Sequence, residues 1–386
     1  MTTLAGVALC SGIAIVAAAS TSAAFAQGAA NCPNPIPIAL TTPLTTGMAL
    51  LGVQGRLGLQ DAVDEINAAG GIGGKKIDLA VEDATASSTT ALNTLNRLLE
   101  RKPVVIFSSM ISPHIFTQND AVKKAEVPFL VAGTNSQITK QGNPWLVRFH
   151  VHDGQLAAAV PRYVIETLKK TKPAIISVSD DFGLGASKDL QKAFEELNVK
   201  PVAIETYGIN DKDMTAQLTS IRNKGADMIL VWGRPGDVTI FLKQRKQLGI
   251  TIPVIGNAST VALTTLNNLT PEEADGVMAI AGMLPQVTAD AESLRFARRV
   301  LDKTKIPPDN FAVAYRDAMY MVKAIVEKVG CDKVAIRNEL HAVKGWKGLL
   351  ITYAADPSGD LAHTMGIYRN KNKQTELIGT LRERGF

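Results

Sequence analysis

Two hydroxyl-rich loops carry the most usable chemistry in this chain. Ser108, Ser109 and Ser112 follow an apolar run that ends near Phe107, and Ala132-Gly133-Thr134-Asn135-Ser136 follows the next such run. Small residues let a solute approach the backbone, and hydroxyls with free N–H groups suit a carboxylate. The same residues also suit helix N-caps, and one residue can serve both roles. Other chemistry finds less support. The histidines are His114, His150, His152, His341 and His363. His150-x-His152 has a metal-like spacing, but no carboxylate or cysteine cluster completes a site. No Gly-x-Ser-x-Gly elbow provides a nucleophile. Gly70-Gly71-Ile72-Gly73-Gly74-Lys75 lacks the Gly-Lys-Ser/Thr ending of a phosphate loop and reads as a tight helix-to-strand turn. Phe182-Gly183-Leu184-Gly185 holds a lone GxG, a weak dinucleotide signal.

These loops need rigid elements to aim them. Apolar strand-like runs at 35–40, 76–82, 104–107 and 128–132 alternate with helical spacing at 51–69, 89–100 and 112–126. The rhythm resumes with strands at 174–178, 202–206, 228–232 and 253–256, separated by helices at 185–197, 214–224 and 237–248. Such alternation predicts an α/β fold with parallel sheets covered on both faces. Ligands then bind beyond the carboxyl ends of the strands, where helix N-termini present unpaired N–H groups. The rhythm breaks near 145–155, 280–288 and 345–352, which predicts three passages between two lobes, with 289–345 returning to the first.

A chain of 386 residues is long for one core, which fits two lobes. Its net charge of +5 is spread out, with no basic run interleaved with aromatics, so a nucleic-acid surface is not expected. Residues 1–26 contain no charged side chain and end in Ala24-Phe25-Ala26, which predicts an export leader cleaved after Ala26, with an N-terminal membrane anchor as the alternative; no basic residue precedes the apolar stretch. Cys10 precedes most of that stretch and gives no lipoprotein signal. The mature chain would keep Cys32 and Cys331. In an oxidising compartment they either pair or stand as unrelated thiols.

Several segments together resemble a known family. Residues 58–72, Gly-Leu-Gln-Asp-Ala-Val-Asp-Glu-Ile-Asn-Ala-Ala-Gly-Gly-Ile, match its helix-plus-glycine signature. Val127-Pro128-Phe129-Leu130 with Ala132-Gly133-Thr134 matches its second ligand loop, and Asp181-Phe182-Gly183-Leu184-Gly185 a loop of its second lobe. Ala314-Tyr315-Arg316-Asp317-Ala318 resembles an Ala-Tyr-Asp-Ala helix with Arg316 interposed, and Asp356-Pro357-Ser358-Gly359-Asp360 resembles a late turn. The chain is similar to the periplasmic substrate-binding proteins of branched-chain amino acid-type ABC transporters, the leucine/isoleucine/valine-binding family. That resemblance implies the type I periplasmic-binding-protein fold, with two doubly wound parallel-sheet lobes joined by a three-stranded hinge. It places the first lobe at 27–150 plus 281–346 and the second at 151–280 plus 347–386.

The resemblance also implies the function and the site. The expected protein is a non-enzymatic solute receptor of the periplasm, without cofactor or metal, that delivers one small molecule to an inner-membrane permease. A sensor subunit that signals to a membrane receptor is the alternative. The implied ligand contacts are Ser109, Ser112, Ala132, Gly133 and Thr134 in the first lobe, Leu51 at a position often aromatic, and Phe182 and Arg234 in the second. Arg234 stands where amino-acid binders often carry an aromatic or small residue, and Ala258 where they often place the acid that pairs with an α-ammonium. This exchange of charge points to a carboxylate ligand without an essential amino group, unless Arg234 is a surface side chain of the loop 233–236.

Overall fold

The computed structural model describes residues 28–209 and 211–383, so the expected leader at 1–26 lies outside the described residues. The first sheet contains β1 (Ile36–Thr42), β2 (Ile77–Asp83), β3 (Val105–Phe107), β4 (Phe129–Val131) and β5 (Leu146–Arg148). Their spatial order is β2-β1-β3-β4-β5, and every pairing is parallel. The second sheet takes β6 (Pro173–Val178), β7 (Ala203–Tyr207), β8 (Met228–Trp232), β9 (Val254–Gly256) and β10 (Met278–Ala281). A small antiparallel pair, β11 (Lys344–Lys347) and β12 (Thr352–Ala354), precedes β13 (Thr364–Lys371) and β14 (Gln374–Arg382). The second sheet runs β14-β13-β10-β9-β8-β6-β7. Its interior is parallel, whereas β13 and β14 add an antiparallel edge that the alternation of strands and helices gave no sign of.

The strands carry the composition their position requires. β8, Met-Ile-Leu-Val-Trp, is buried along its whole length, as a parallel strand with helices on both faces must be. The helix Ala49–Ala68 lies so close to Asn310–Val329 that a Cβ on Gly58 would sit 1.9 Å from the Ala312 carbonyl oxygen. Only glycine permits that approach, which explains its place in the helix signature. The run 70–74 is a tight turn with four glycines at positive φ. Arg316 is a packing residue. It stacks over Phe296 and Tyr320 and faces Glu292 and Glu65.

Three chain passages join the lobes, and a buried charge network holds them. Arg148 is fully buried at the end of β5. Its Nε donates to Asp360 at 2.7 Å, its Nη1 to the carbonyls of Gly133 (3.0 Å) and Asn135 (2.8 Å), and its Nη2 to Thr139 Oγ1 (3.0 Å). Asp356 in turn accepts from the N–H groups of Ser358 and Asp360, both at 2.8 Å, so the late turn exists to present Asp360. Burial alone would raise the Asp360 carboxyl, but Arg148 and His152 hold it well below the ordinary range. The sequence reading drew the last passage at 346–347. In the structure Tyr353 Oη donates to Asp317 at 3.1 Å and Leu349 N–H at 3.0 Å, so this hairpin lies on the helix Asn310–Val329. The chain reaches the second sheet at Thr364. Cys32 and Cys331 form a disulfide, so the alternative of two unrelated thiols falls.

Candidate functional site

The sheet orders fix where a ligand can sit. In each lobe the strand order reverses once, between β1 and β3 in the first and between β6 and β8 in the second. Loops diverge at such points and leave a crevice beyond the strand ends. The two crevices face each other across one cavity of about 70 Å³, the size of a site for a single compact solute. Leu51, Ser112 and Thr134 line it from the first lobe. Phe182, Arg234 and Asn257 line it from the loops after β6, β8 and β9.

Arg234 is not a surface side chain. It is about 12% exposed, paired with Asp180, and lies 5.5 Å from the centre of the Phe182 ring. Its backbone N–H is capped by Asp237 at 3.1 Å, which sets the loop angle as the helix Pro235–Gln247 begins. Asp180 occupies Nη2, while Nη1 is buried without a hydrogen-bond partner. Ala258 also lines the cavity, without an acidic group at that position.

Five of the eight residues expected from sequence line the cavity: Leu51, Ser112, Thr134, Phe182 and Arg234. Ser109, Ala132 and Gly133 do not, for identifiable reasons. Ser109 Oγ is engaged by His114 Nδ1 at 3.1 Å and by the Ile111 N–H at 3.2 Å. The Gly133 carbonyl is taken by Arg148, and a Cβ there would meet Ile115 at 2.4 Å. Ala132 is buried in the core behind the loop. Ser112 keeps its hydroxyl near the cavity but also accepts from the Asn135 N–H at 3.2 Å, which ties the two loops together.

The passages between the lobes and the start of the helix Asn310–Val329 contribute residues that sequence reasoning did not place. His150, Asp153, Gly282, Asn310 and Phe311 all line the cavity. His150 Nδ1 faces the Val151 carbonyl at 2.8 Å, which can only accept, so Nδ1 carries the proton. Nε2 then accepts from Asn310 Nδ2 at 2.7 Å. Burial pushes the His150 pKa down to about 4, and the ring stacks on Phe311 at 4.3 Å, so it forms a neutral wall. His152 points elsewhere, toward Asp360 at 3.3 Å, so the two imidazoles do not share a ligand. Among the described residues no group of three His, Cys, Asp or Glu is placed to hold a metal. Asp153 begins a helix and accepts from Trp232 Nε1 at 2.7 Å, while its other oxygen is buried without a partner. Burial raises its pKa to about 7, against the pull of Trp232 and Thr134. The sequence signals here were the polar break near 145–155 and, for His150, the His150-x-His152 spacing.

Two doubly wound lobes around a shared cleft define a two-lobed solute-binding architecture. A sequence model of the periplasmic binding protein family matches residues 35–375, and the chain belongs to that family. It is 25% identical over 333 residues to Leu/Ile/Val-binding protein homolog 3 of Brucella melitensis, which covers 85% of this chain and 89% of that protein. Among solved structures, it is similar to a branched-chain amino acid transporter substrate-binding protein of Streptococcus pneumoniae in complex with isoleucine. The TM-score is 0.82 at 24% identity, over 91% of this chain and all (100%) of the other. It is equally similar in fold to an ABC-transporter solute-binding protein of Rhodopseudomonas palustris BisB5 in complex with 3,4-dihydroxybenzoic acid. There the TM-score is 0.81 at 20% identity, over 91% of this chain and 98% of the other. These likenesses establish the type I periplasmic-binding-protein fold.

Proposed function

We propose that this protein is the extracytoplasmic solute-binding component of an ABC importer and that its ligand is a small carboxylic acid, aromatic or aliphatic. One observation carries the choice of ligand class. A buried guanidinium, Arg234, lines the cavity with one nitrogen unused, and no acid stands at Ala258. A carboxylate satisfies that nitrogen, whereas a buried ammonium needs an ionised partner. The acid that does line the cavity, Asp153, has its pKa raised by burial to about 7, so its ionised form is disfavoured relative to an ordinary carboxylate. It suits a hydroxyl better than a cation. Proteins of this fold hold isoleucine in one solved structure and 3,4-dihydroxybenzoic acid in another, so side chains rather than fold decide the ligand. Phe182, Leu156 and Phe311 supply apolar wall for the remainder of the molecule.

Each lobe supplies part of the cavity, so the ligand favours the closed form by bridging both. The protein does no bond chemistry on this reading. It hands the solute to a permease that meets the rim formed by both lobes. Export through the leader at 1–26 agrees with the disulfide Cys32–Cys331, which needs an oxidising compartment.

Calorimetry with benzoate and with leucine tests the ligand class. Benzoate should bind, and Arg234→Gln should weaken it by roughly 10- to 100-fold, the worth of one charge-assisted hydrogen bond. Leucine bound tightly with no response to benzoate or alkanoates would overturn the proposal.

A further inference from the structure

The central cavity adjoins a second and larger chamber of about 220 Å³. Six residues line both: Leu51, Pro235, Ala258, Ser259, Asn310 and Phe311. Beyond this common wall the second chamber is faced by Leu50, Val53, Val261, Leu263, Leu284 and Ile306. Leu50 lies in the first turn of the first-lobe helix Ala49–Ala68, and Leu263 starts the short second-lobe helix Leu263–Leu266. They are 59% and 37% exposed, so each lobe leaves a leucine in water at the chamber wall. Two of its polar side chains are engaged within the protein. Gln54 donates to the Pro307 carbonyl at 3.0 Å and accepts from the Asp309 N–H at 2.9 Å. Lys305 Nζ donates to the Asp302 carbonyl at 2.8 Å.

We infer that the second chamber receives the apolar tail of the ligand, which is therefore an elongated monocarboxylic acid rather than a compact one. This rests on the carboxylate reading of Arg234. Ser112, Thr134 and Arg234 line only the central cavity and mark the polar end. Leu51, Ala258 and Phe311 form an apolar neck, and the single methyl of Ala258 adds little bulk to it. A compact acid fills the centre and leaves the leucines wet. A longer one dries them, at about a fourfold gain in affinity for each methylene buried.

The test is calorimetry of the full mature protein with benzoate, phenylacetate, 3-phenylpropionate and 4-phenylbutyrate, repeated on Leu263→Asp. Leu263 lies outside the central cavity and near the surface, and circular dichroism verifies that the variant is folded. Affinity should rise at least tenfold along the series. Leu263→Asp should abolish the rise and leave benzoate binding unchanged. Benzoate binding with a flat or falling series overturns the inference alone, as does a rise that survives Leu263→Asp; a chamber that merely collapses on lobe closure gives the flat series. Failure of every acid to bind overturns both the inference and the carboxylate reading.

Discussion

Arg234, Asp153 and His150 are the charged or chargeable side chains in the cavity wall, and the first two differ in how visible they were. Arg234 follows a strand end directly, so its position beyond β8 was legible from the apolar run 228–232. Its partner Asp180 was not, because the pair spans two loops whose separation in sequence is 54 residues. Asp153 was missed since nothing local marks a carboxyl as buried; Trp232 and the helix it starts do that from afar. Its burial has a consequence for stability. The folded state holds the Asp153 proton up to about pH 7, whereas an unfolded aspartate releases it near 3.9. Between those values the folded state binds more protons, so stability falls as pH rises through the window. Asp153→Asn removes this loss while keeping an acceptor for Trp232. Thermal melts should show no advantage for the variant below pH 4 and an advantage on the order of 2–4 kcal/mol by pH 8. A constant difference across that range would contradict the assignment.

At the scale of elements, most of the parallel framework was readable because the apolar runs that make it are short, buried and flanked by helical spacing. The sequence reading lacked β5 and β10, which are only three and four residues long and lie at breaks in the rhythm, and the antiparallel strands β11 to β14, the last of which is half exposed. It also began the helix Asp181–Glu195 four residues late, at Gly185. The Phe-Gly-Leu-Gly segment is the first turn of that helix, capped by Asp180, which accepts from the Gly183 N–H at 3.1 Å. This turn meets the first lobe: Asn135 Nδ2 donates to the Asp181 carbonyl at 2.5 Å across the cleft. A Cβ on Gly185 would lie 2.4 Å from that same nitrogen. Gly185→Ala therefore obstructs closure, yet inside a helix alanine is favoured over glycine by up to about 1 kcal/mol. The variant should melt no lower than the parent without ligand and bind ligand about tenfold more weakly by calorimetry. Unchanged affinity would rule out this contact as part of closure.

Across the whole molecule, the alternation of strands and helices pointed to two lobes, the third break at 345–352 fell on a hairpin of the first lobe, and the charge network at the passages was not legible. Arg148 and Asp360 are 212 residues apart and meet only because the late turn folds back on β5. The pairing of Cys32 with Cys331 was likewise open in the sequence, since no spacing rule joins positions 299 residues apart. That bond anchors the segment before β1 to the end of the helix Asn310–Val329 and restrains a long loop in the unfolded state. Cys32→Ser should cost about 2–5 kcal/mol in chemical denaturation, and reduction of the parent should cost the same. The central claim concerns motion at this scale: the proposed function has two lobes, each lining part of one cavity, close on their solute. Small-angle scattering on the mature protein, without ligand and at saturating carboxylic acid, measures it directly. The account predicts a smaller radius of gyration in the saturated sample. An unchanged radius at saturation, with binding verified by calorimetry on the same preparation, would contradict it.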